Sequence, residues 1–376
     1  MNGYDVIVVG GGLAGLTAAV HLASEDYNIL VLEKQPYPHH KVCGEYVSNE
    51  VNAYLDHLGI SLAQNKAIAI DTLQLSTRKG HMLYTKLPLG GRGISRFTFD
   101  NLLYQKALAN KVSFVFETVT DISFNEEMFT ITTKAGNSFK SPIAIGAYGK
   151  RSQLDKKMER RFTQVKSSWL AVKAHYRYND FPENVVALHN FRGGYAGLSK
   201  TETQAVNFCY LASYKSFKPS GNIDQFNEKV VSQNPFLASF LKNAEPIFAQ
   251  PLSIAQVSFY PKRIIEHHVL MCGDTAGLIH PLCGNGMAIA IHSAKILAEH
   301  IIMFLKTPSY GRGQLERDYQ RVWNSTFRAR LRTGRQLQAL LLNNGLSSLA
   351  MGSVAKSPWL LDRLIRKTHG KPIMFQ

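Results

Sequence analysis

Residues Asp5–Gly15 read DVIVVGGGLAG. The run Asp5–Val9 is of strand type, and it ends in Gly10-Gly11-Gly12-Leu13-Ala14-Gly15. An Ala- and Leu-rich stretch to Ala23 reads as a helix, and a second apolar run, Asn28–Leu32, ends in Glu33. Strand, glycine turn, helix, strand and acid in that order make the dinucleotide-binding βαβ unit. Gly10 allows the tight turn, Gly12 lets the backbone approach a pyrophosphate, and Gly15 lets the helix pack closely on the strand. The helix N-terminus faces the phosphates with free N–H groups and its positive dipole end. Glu33, 18 residues past Gly15, stands where an acid can hydrogen-bond ribose hydroxyls.

The chain has 376 residues, 45% of them hydrophobic, enough for a large core and two or three domains. The N-terminus runs directly into the first core strand, so no secretory signal is expected. The best candidate for a membrane span, Met287–Leu305, is interrupted by His292, Lys295, Glu299 and His300. Cys43, Cys209, Cys272 and Cys283 show neither CxxC pairing nor zinc-type spacing. The expected setting is reducing and cytoplasmic. The histidine pairs at 39–40 and 267–268 lack the spacing and acidic partners of a metal site, so no metal is expected. The net charge of +16 suits nucleic acid, anionic lipid or an acidic partner. No nucleic-acid motif is present and the basic residues are dispersed. Their densest cluster is Arg328, Arg330, Arg332 and Arg335, of which 328, 332 and 335 share a helix face. That face is either simply solvated or a surface for an anionic membrane, a phosphorylated substrate or an acidic carrier protein.

After Glu33, two prolines and a glycine make 35–48 a loop. Helices are expected at Glu50–Leu58, following Ser95–Asp100 to about Ala109, over Ile223–Leu241 with a break at Pro235, and from about Gly286 to Leu305. The last 65 or so residues also read as helical, with an apolar face of Leu337, Leu340, Leu341 and Leu342. Strands are expected at Thr72–Ser76, His81–Leu87, Val112–Glu117, Met128–Thr133, Ile143–Ala147 and Val269–Met271, with Leu89–Gly93 as a loop. From Trp169 to about Ser213 the alternation is largely β-like. The fold class is therefore α/β with an α+β insert: a Rossmann-like nucleotide-binding domain of discontinuous segments, an inserted β-sheet substrate domain and C-terminal helices. The expected boundaries are 1–75, 96–155 and 262–310 for the first, 76–95 and 156–261 for the second, and 311–376 for the third.

A second motif chooses the nucleotide. Val269–Met271 ends in Cys272-Gly273-Asp274, followed by His280-Pro281-Leu282-Cys283-Gly284-Asn285-Gly286-Met287 and a helix. An aspartate at a strand end can bond a polyol such as ribityl. The helix start at Gly286 aims N–H groups at whatever lies before it, which suits the negative charge of a reduced flavin. Gly284 and Gly286 permit close backbone approach.

With both motifs in place, most of residues 1–305 resembles the flavoprotein group of p-hydroxybenzoate hydroxylase and geranylgeranyl reductase. The shared order is GGGLAG with Glu33, the segment Ser95-Arg96-Phe97-Thr98-Phe99-Asp100, Gly146-Ala147-Tyr148-Gly149, then Gly273-Asp274. The resemblance implies extended FAD, its adenosine at Glu33 and its isoalloxazine near Gly284–Met287. It adds Ala14, Lys34, Arg96 and the backbone near Val119 as cofactor contacts. Lys41-Val42-Cys43-Gly44 resembles the Lys-x-Cys-Gly loop of geranylgeranyl reductases, which lies against the flavin, so Cys43 and Gly44 are expected at the ring. There Cys43 could donate a proton or shape the pocket. Two departures stand out. Relatives have Gly-Ala-Asp-Gly where Tyr148 stands here, and the prenyl reductases have Tyr-x-Trp-x-Phe-Pro where this chain has Tyr195-Ala196-Gly197-Leu198-Ser199-Lys200. Tyr195 remains a candidate pocket or catalytic residue beside Cys43. No second glycine-rich βαβ unit is present, so NAD(P)H would dock transiently as reductant, unless a protein donor supplies the electrons. The resemblance implies hydride transfer on an apolar lipid-like or polyketide-like substrate, with aromatic monooxygenation and a non-catalytic flavin- or lipid-binding role as alternatives.

Overall fold

The computed structural model describes residues 3–279, 284–342, 365, 367 and 370–373, with the side chains of 337–342 excepted. Three sheets form among the described residues. The first is built from β1 (Val6–Val9), β2 (Ile29–Leu32), β6 (Ser113–Val115), β10 (Ile143–Gly146), β17 (Ile265–Glu266) and β18 (Val269–Met271), in the order β17-β18-β10-β1-β2-β6. All its pairings are parallel except β17–β18. β1, β2, β10 and β18 are buried at every residue, as strands covered on both faces must be. That is why they read as unbroken apolar runs. The helix Leu13–Ala23 packs on the helix Gly286–Lys306, which packs in turn on Arg312–Leu342. Gly286–Lys306 is long and apolar enough to cross a membrane, but much of it is buried inside the protein.

The large sheet contains β3 (Tyr46–Ser48), β4 (Ile68–Ser76), β5 (Met82–Gly93), β11 (Trp169–Arg177), β12 (Val185–Phe191), β13 (Gly194–Lys200), β14 (Val206–Ser213), β15 (Glu245–Pro246) and β16 (Leu252–Ala255). Its order is β15-β11-β14-β13-β12-β4-β5-β3, with β16 also on β11. β7 (Val119–Asn125), β8 (Met128–Thr133) and β9 (Ser138–Ser141) form a small antiparallel sheet.

Several expectations change. Leu89–Gly93 is not a loop but the end of β5, paired with β3 and β4. β4 begins at Ile68 and bonds into the large sheet, as does β3 within the expected 35–48 loop, although the expected boundary left both on the nucleotide side up to residue 75. β7 was not expected at all. Of the arginine cluster, Arg330 turns inward onto Glu50 at 3.0 Å while Arg328 and Arg332 are exposed.

One buried histidine makes stability depend on acid. His189 is 3% exposed, and its Nδ1 lies 2.7 Å from Ser76 Oγ, which accepts from Asn234 Nδ2 at 2.8 Å. The His189 imidazole therefore sits in a buried hydrogen-bonded network. Burial lowers its pKa from 6.5 to about 4. Between those values the unfolded chain binds a proton that the folded chain refuses, so stability falls as pH drops through this window, by on the order of 3 kcal/mol for full protonation. Urea unfolding at pH 7 and pH 4.5 should show His189→Gln losing less stability on acidification than the wild type. Equal losses would mean that His189 is not the acid-sensitive group.

Candidate functional site

The glycine turn sits between β1 and the Leu13–Ala23 helix. Gly10 has φ +104°, and a Cβ there would lie 2.5 Å from the Ala147 carbonyl oxygen. A Cβ on Gly15 would lie 2.0 Å from Gly10 O, the close helix–strand approach expected of that position. Gly12 differs: the nearest atom to a Cβ would be an Arg96 guanidinium nitrogen at 3.8 Å, which leaves open space at the helix entry. Glu33 is buried behind the turn. Its Oε2 accepts the Gly11 N–H at 2.7 Å and its Oε1 that of Gln35 at 3.3 Å. Each oxygen keeps a second lone pair for a ribose hydroxyl. Tyr37, whose hydroxyl donates to Gly11 O at 2.5 Å, stacks on Tyr104 at 4.5 Å, with Phe114 and Phe116 edge-on. No periodicity announces this aromatic group, because it combines a loop, a helix and the end of β6. Lys34 is exposed, and Val119 is a core residue at the head of β7.

The two distant motifs meet here. Gly273, at φ +60°, would place a Cβ 2.7 Å from Ala14 Cβ. Asp274 follows it, half-buried, within the electrostatic reach of Arg96. Arg96 starts the helix Arg96–Ala109, capped by Ser95, and grips Asp100 through two bonds of 2.6 and 2.8 Å. Asp100 also holds Lys41 Nζ at 2.9 Å. Burial works against the Arg96 charge, but Asp100, aided by Cys43 and Asp274, outweighs it and holds the guanidinium pKa above its usual value. A fixed cation thus stands between the glycine turn, the Gly-Asp turn and the Cys43 loop.

Gly284, at φ +62°, faces the Tyr46 ring, and Gly286 and the buried Met287 begin the Gly286–Lys306 helix. His280 and Cys283 lie outside the described residues. A Cβ on Gly44 would meet nothing within 4 Å among the described residues, which leave that side of the Cys43 loop open. Tyr195 lies in an apolar cluster with Ala171, Leu211, Phe259 and Leu278, against which Val42 and Trp169 pack. It therefore joins the large sheet to the loop that carries Cys43.

Behind that loop is a group the sequence did not suggest. Glu45 is fully buried, bonded to the Lys173 ammonium and 2.6 Å from His175 Nε2. Burial opposes its charge, yet Lys173 and His175 hold its pKa below the usual carboxylate range. His40, expected as a loop histidine without an acidic partner, lies against the His175 ring at 5.1 Å and is close enough to complete a three-ligand cluster with Glu45. The Lys173 ammonium on the same carboxylate is unfavourable for a cation there.

The open helix entry at Gly12, the carboxylate at Glu33 and the cation at Arg96 fit an extended dinucleotide, and the open face of Gly44 fits a flat ring. The sequence matches the FAD binding domain family over residues 3–312. It is 23% identical to digeranylgeranylglycerophospholipid reductase 1 of Methanosphaera stadtmanae, over 86% of this chain and 81% of that protein. It is 21% identical to an FAD-dependent monooxygenase of Arthrinium sp, over 79% of this chain and 44% of the other. A solved flavin-dependent brominase superposes with TM-score 0.80 at 17% identity, over 98% of this chain and 93% of that one, so the fold is shared. A family match over most of the chain makes it a member of the FAD binding domain family and an FAD-dependent enzyme.

Proposed function

We propose that the protein transfers hydride between FAD and an apolar, lipid-like or polyketide-like substrate. The observation that carries this reading is the apolar cluster of Tyr195, Leu211, Phe259 and Leu278 meeting Val42. A substrate packed against this cluster would lie beside the Cys43 loop. Gly10, Gly12, Ala14, Gly15 and Glu33 would hold the adenosine diphosphate half of the cofactor, and Arg96, Gly273 and Asp274 its centre. Cys43, Gly44, Gly284, Gly286 and Met287 would flank the ring. When bound, the flavin supplies the hydride acceptor or donor. Cys43 would hold a proton at Sγ for the substrate, Tyr195 would orient it, and NAD(P)H would dock transiently as reductant. Exposed Arg328 and Arg332 would face an anionic membrane surface or an acidic carrier bringing the substrate.

Likeness to the phospholipid reductase supports this reading, and likeness to the monooxygenase supports a second, in which the reduced cofactor activates oxygen for an aromatic ring. One experiment separates them. Photoreduced enzyme is mixed without oxygen with short-chain quinones and unsaturated prenyl lipids. Reoxidation of the flavin by one of them supports hydride transfer. No anaerobic reoxidation, together with substrate-triggered oxygen uptake in the presence of NAD(P)H, overturns it in favour of the monooxygenase.

Glu33→Ala and Asp274→Ala should each weaken FAD retention by on the order of 1–3 kcal/mol, the loss of hydrogen bonds to a cofactor hydroxyl. Dialysis followed by flavin absorbance measures this. Unchanged occupancy in both variants would remove these residues from the site.

A further inference from the structure

Four consecutive carbonyls of the loop before Glu45 are each held by a different side chain. Lys173 Nζ donates to Lys41 O at 3.2 Å and Lys150 Nζ to Val42 O at 3.0 Å. Asn207 Nδ2 donates to Cys43 O at 3.2 Å and Ser199 Oγ to Gly44 O at 3.4 Å. Three of the four donors belong to the large sheet, on β11, β14 and β13. With the carbonyls committed, the N–H groups of Val42, Cys43 and Gly44 have no hydrogen-bond partner among the described residues. They are free to meet a group on the open side of the loop.

Glu45 terminates this segment in the left-handed region, at φ +56°. Its Oε1 accepts the Arg96 backbone N–H at 2.6 Å and the Lys173 ammonium, and its Oε2 faces His175 Nε2. The same ammonium bonds Lys41 O, so Lys173 fastens both ends of the loop. Lys173 has no exposed side-chain surface and Glu45 none either, so their attraction is not screened by solvent. Loss of one partner would leave the other charge buried and uncompensated.

We infer that Glu45, Lys173 and His175 are positioning residues: a buried charge cluster that ties the Lys41–Gly44 loop and the Arg96 amide to the large sheet and holds the loop's N–H groups toward the cofactor. This rests on the proposed placement of the loop against the flavin. The sheet that would carry substrate then also sets the loop that would touch the ring, so the two sides of the reaction share one anchor.

The test follows the rate at which a thiol reagent modifies Cys43, located by peptide mass mapping, in FAD-free and FAD-loaded protein. The double variant Glu45→Gln/Lys173→Met removes both charges together and strands neither. It should label Cys43 at least about tenfold faster than wild type in the FAD-free state, because the loop opens more often. Loaded with FAD, it should show a shifted visible flavin band. Lys173→Arg keeps the cation and should label at close to the wild-type rate. A double variant with wild-type labelling and an unshifted band overturns the assignment. If that variant does not fold, His175→Leu, which removes one member of the cluster and leaves the Glu45–Lys173 pair intact, must still label faster, and an unchanged rate overturns the assignment. FAD protection of Cys43 in the wild type tests the underlying placement separately. Its absence would remove the loop from the ring, while faster labelling of the variants would still establish the anchor.

Discussion

Gly15→Ala is expected to purify without FAD and with a lowered melting temperature. The added Cβ would lie 2.0 Å from Gly10 O, 3.1 Å from Val8 Cγ1 and 3.2 Å from Ala147 Cβ. The first contact is backbone against backbone, so no rotamer change relieves it. The Leu13–Ala23 helix must move off β1, at a cost at or above the roughly 1–3 kcal/mol typical of overpacking. The same movement carries the helix N-terminus away from the place where the phosphates would lie. Gly12→Ala is the matching control. Its Cβ has 3.8 Å of clearance from Arg96, so the FAD-free fold should survive with its melting temperature unchanged. The methyl group would nevertheless occupy the space expected for the pyrophosphate, and FAD occupancy should fall. The two variants therefore separate a packing glycine from a cofactor glycine. Full FAD occupancy in Gly12→Ala would show that the pyrophosphate does not pass this position.

These two positions were legible in the sequence because their constraints are local. The turn, the helix and Glu33 fall within one short segment, and Val6–Val9 must be apolar throughout because neighbours cover both faces. Leu89–Gly93 misleads for a related reason. Three glycines in five residues resemble a turn, but Gly91 faces the Tyr46 ring, where a Cβ would lie 2.4 Å away, and Gly93 faces Lys200 O at 2.0 Å. These glycines serve close approach inside a sheet, and the partners that require it are distant in sequence. Only Gly90, at φ +63°, has a turn-like conformation, and it sits near the register shift between Ile70 and Thr72. The Glu45 cluster was invisible on the same principle. Lys173 and His175 lie 128 and 130 residues from Glu45, in a strand whose pattern is otherwise ordinary. Sequence spacing reports neighbours along a helix or strand, and this cluster is built across the seam between a loop and a sheet.

Arg160→Met should destabilise the protein by about 3–5 kcal/mol, the usual cost of stranding one member of a buried ion pair. Arg160 is 2% exposed, and its guanidinium is 2.8 Å from the fully buried Asp155. It also donates to Arg263 O at 2.6 Å and Thr275 O at 3.0 Å. Thr275 in turn receives the Gly149 N–H on its hydroxyl at 2.8 Å. The arginine thus ties the Gly146–Gly149 turn to the Gly273–Thr275 turn that carries Asp274. Removing it leaves the buried Asp155 carboxylate and two carbonyls without their charged donor and takes one of two nearby cations from Glu266, 3.8 Å away, so FAD retention should weaken along with stability. Part of the loss comes from the stranded Asp155, and that part is recoverable. Asp155→Asn keeps an oxygen for the Ser152 N–H of its helix cap, so Asp155→Asn/Arg160→Met should be more stable than Arg160→Met alone. The carbonyls at 263 and 275 still lack their donor in the double variant, so the cofactor deficit should persist when the stability deficit shrinks. Urea unfolding of both variants, with flavin occupancy measured on the same preparations, checks both halves. A single variant that unfolds within 1 kcal/mol of wild type would mean that solvent reaches Asp155. A double variant that regains FAD along with stability would mean that the arginine acts only by neutralising that carboxylate and not by holding the Asp274 turn.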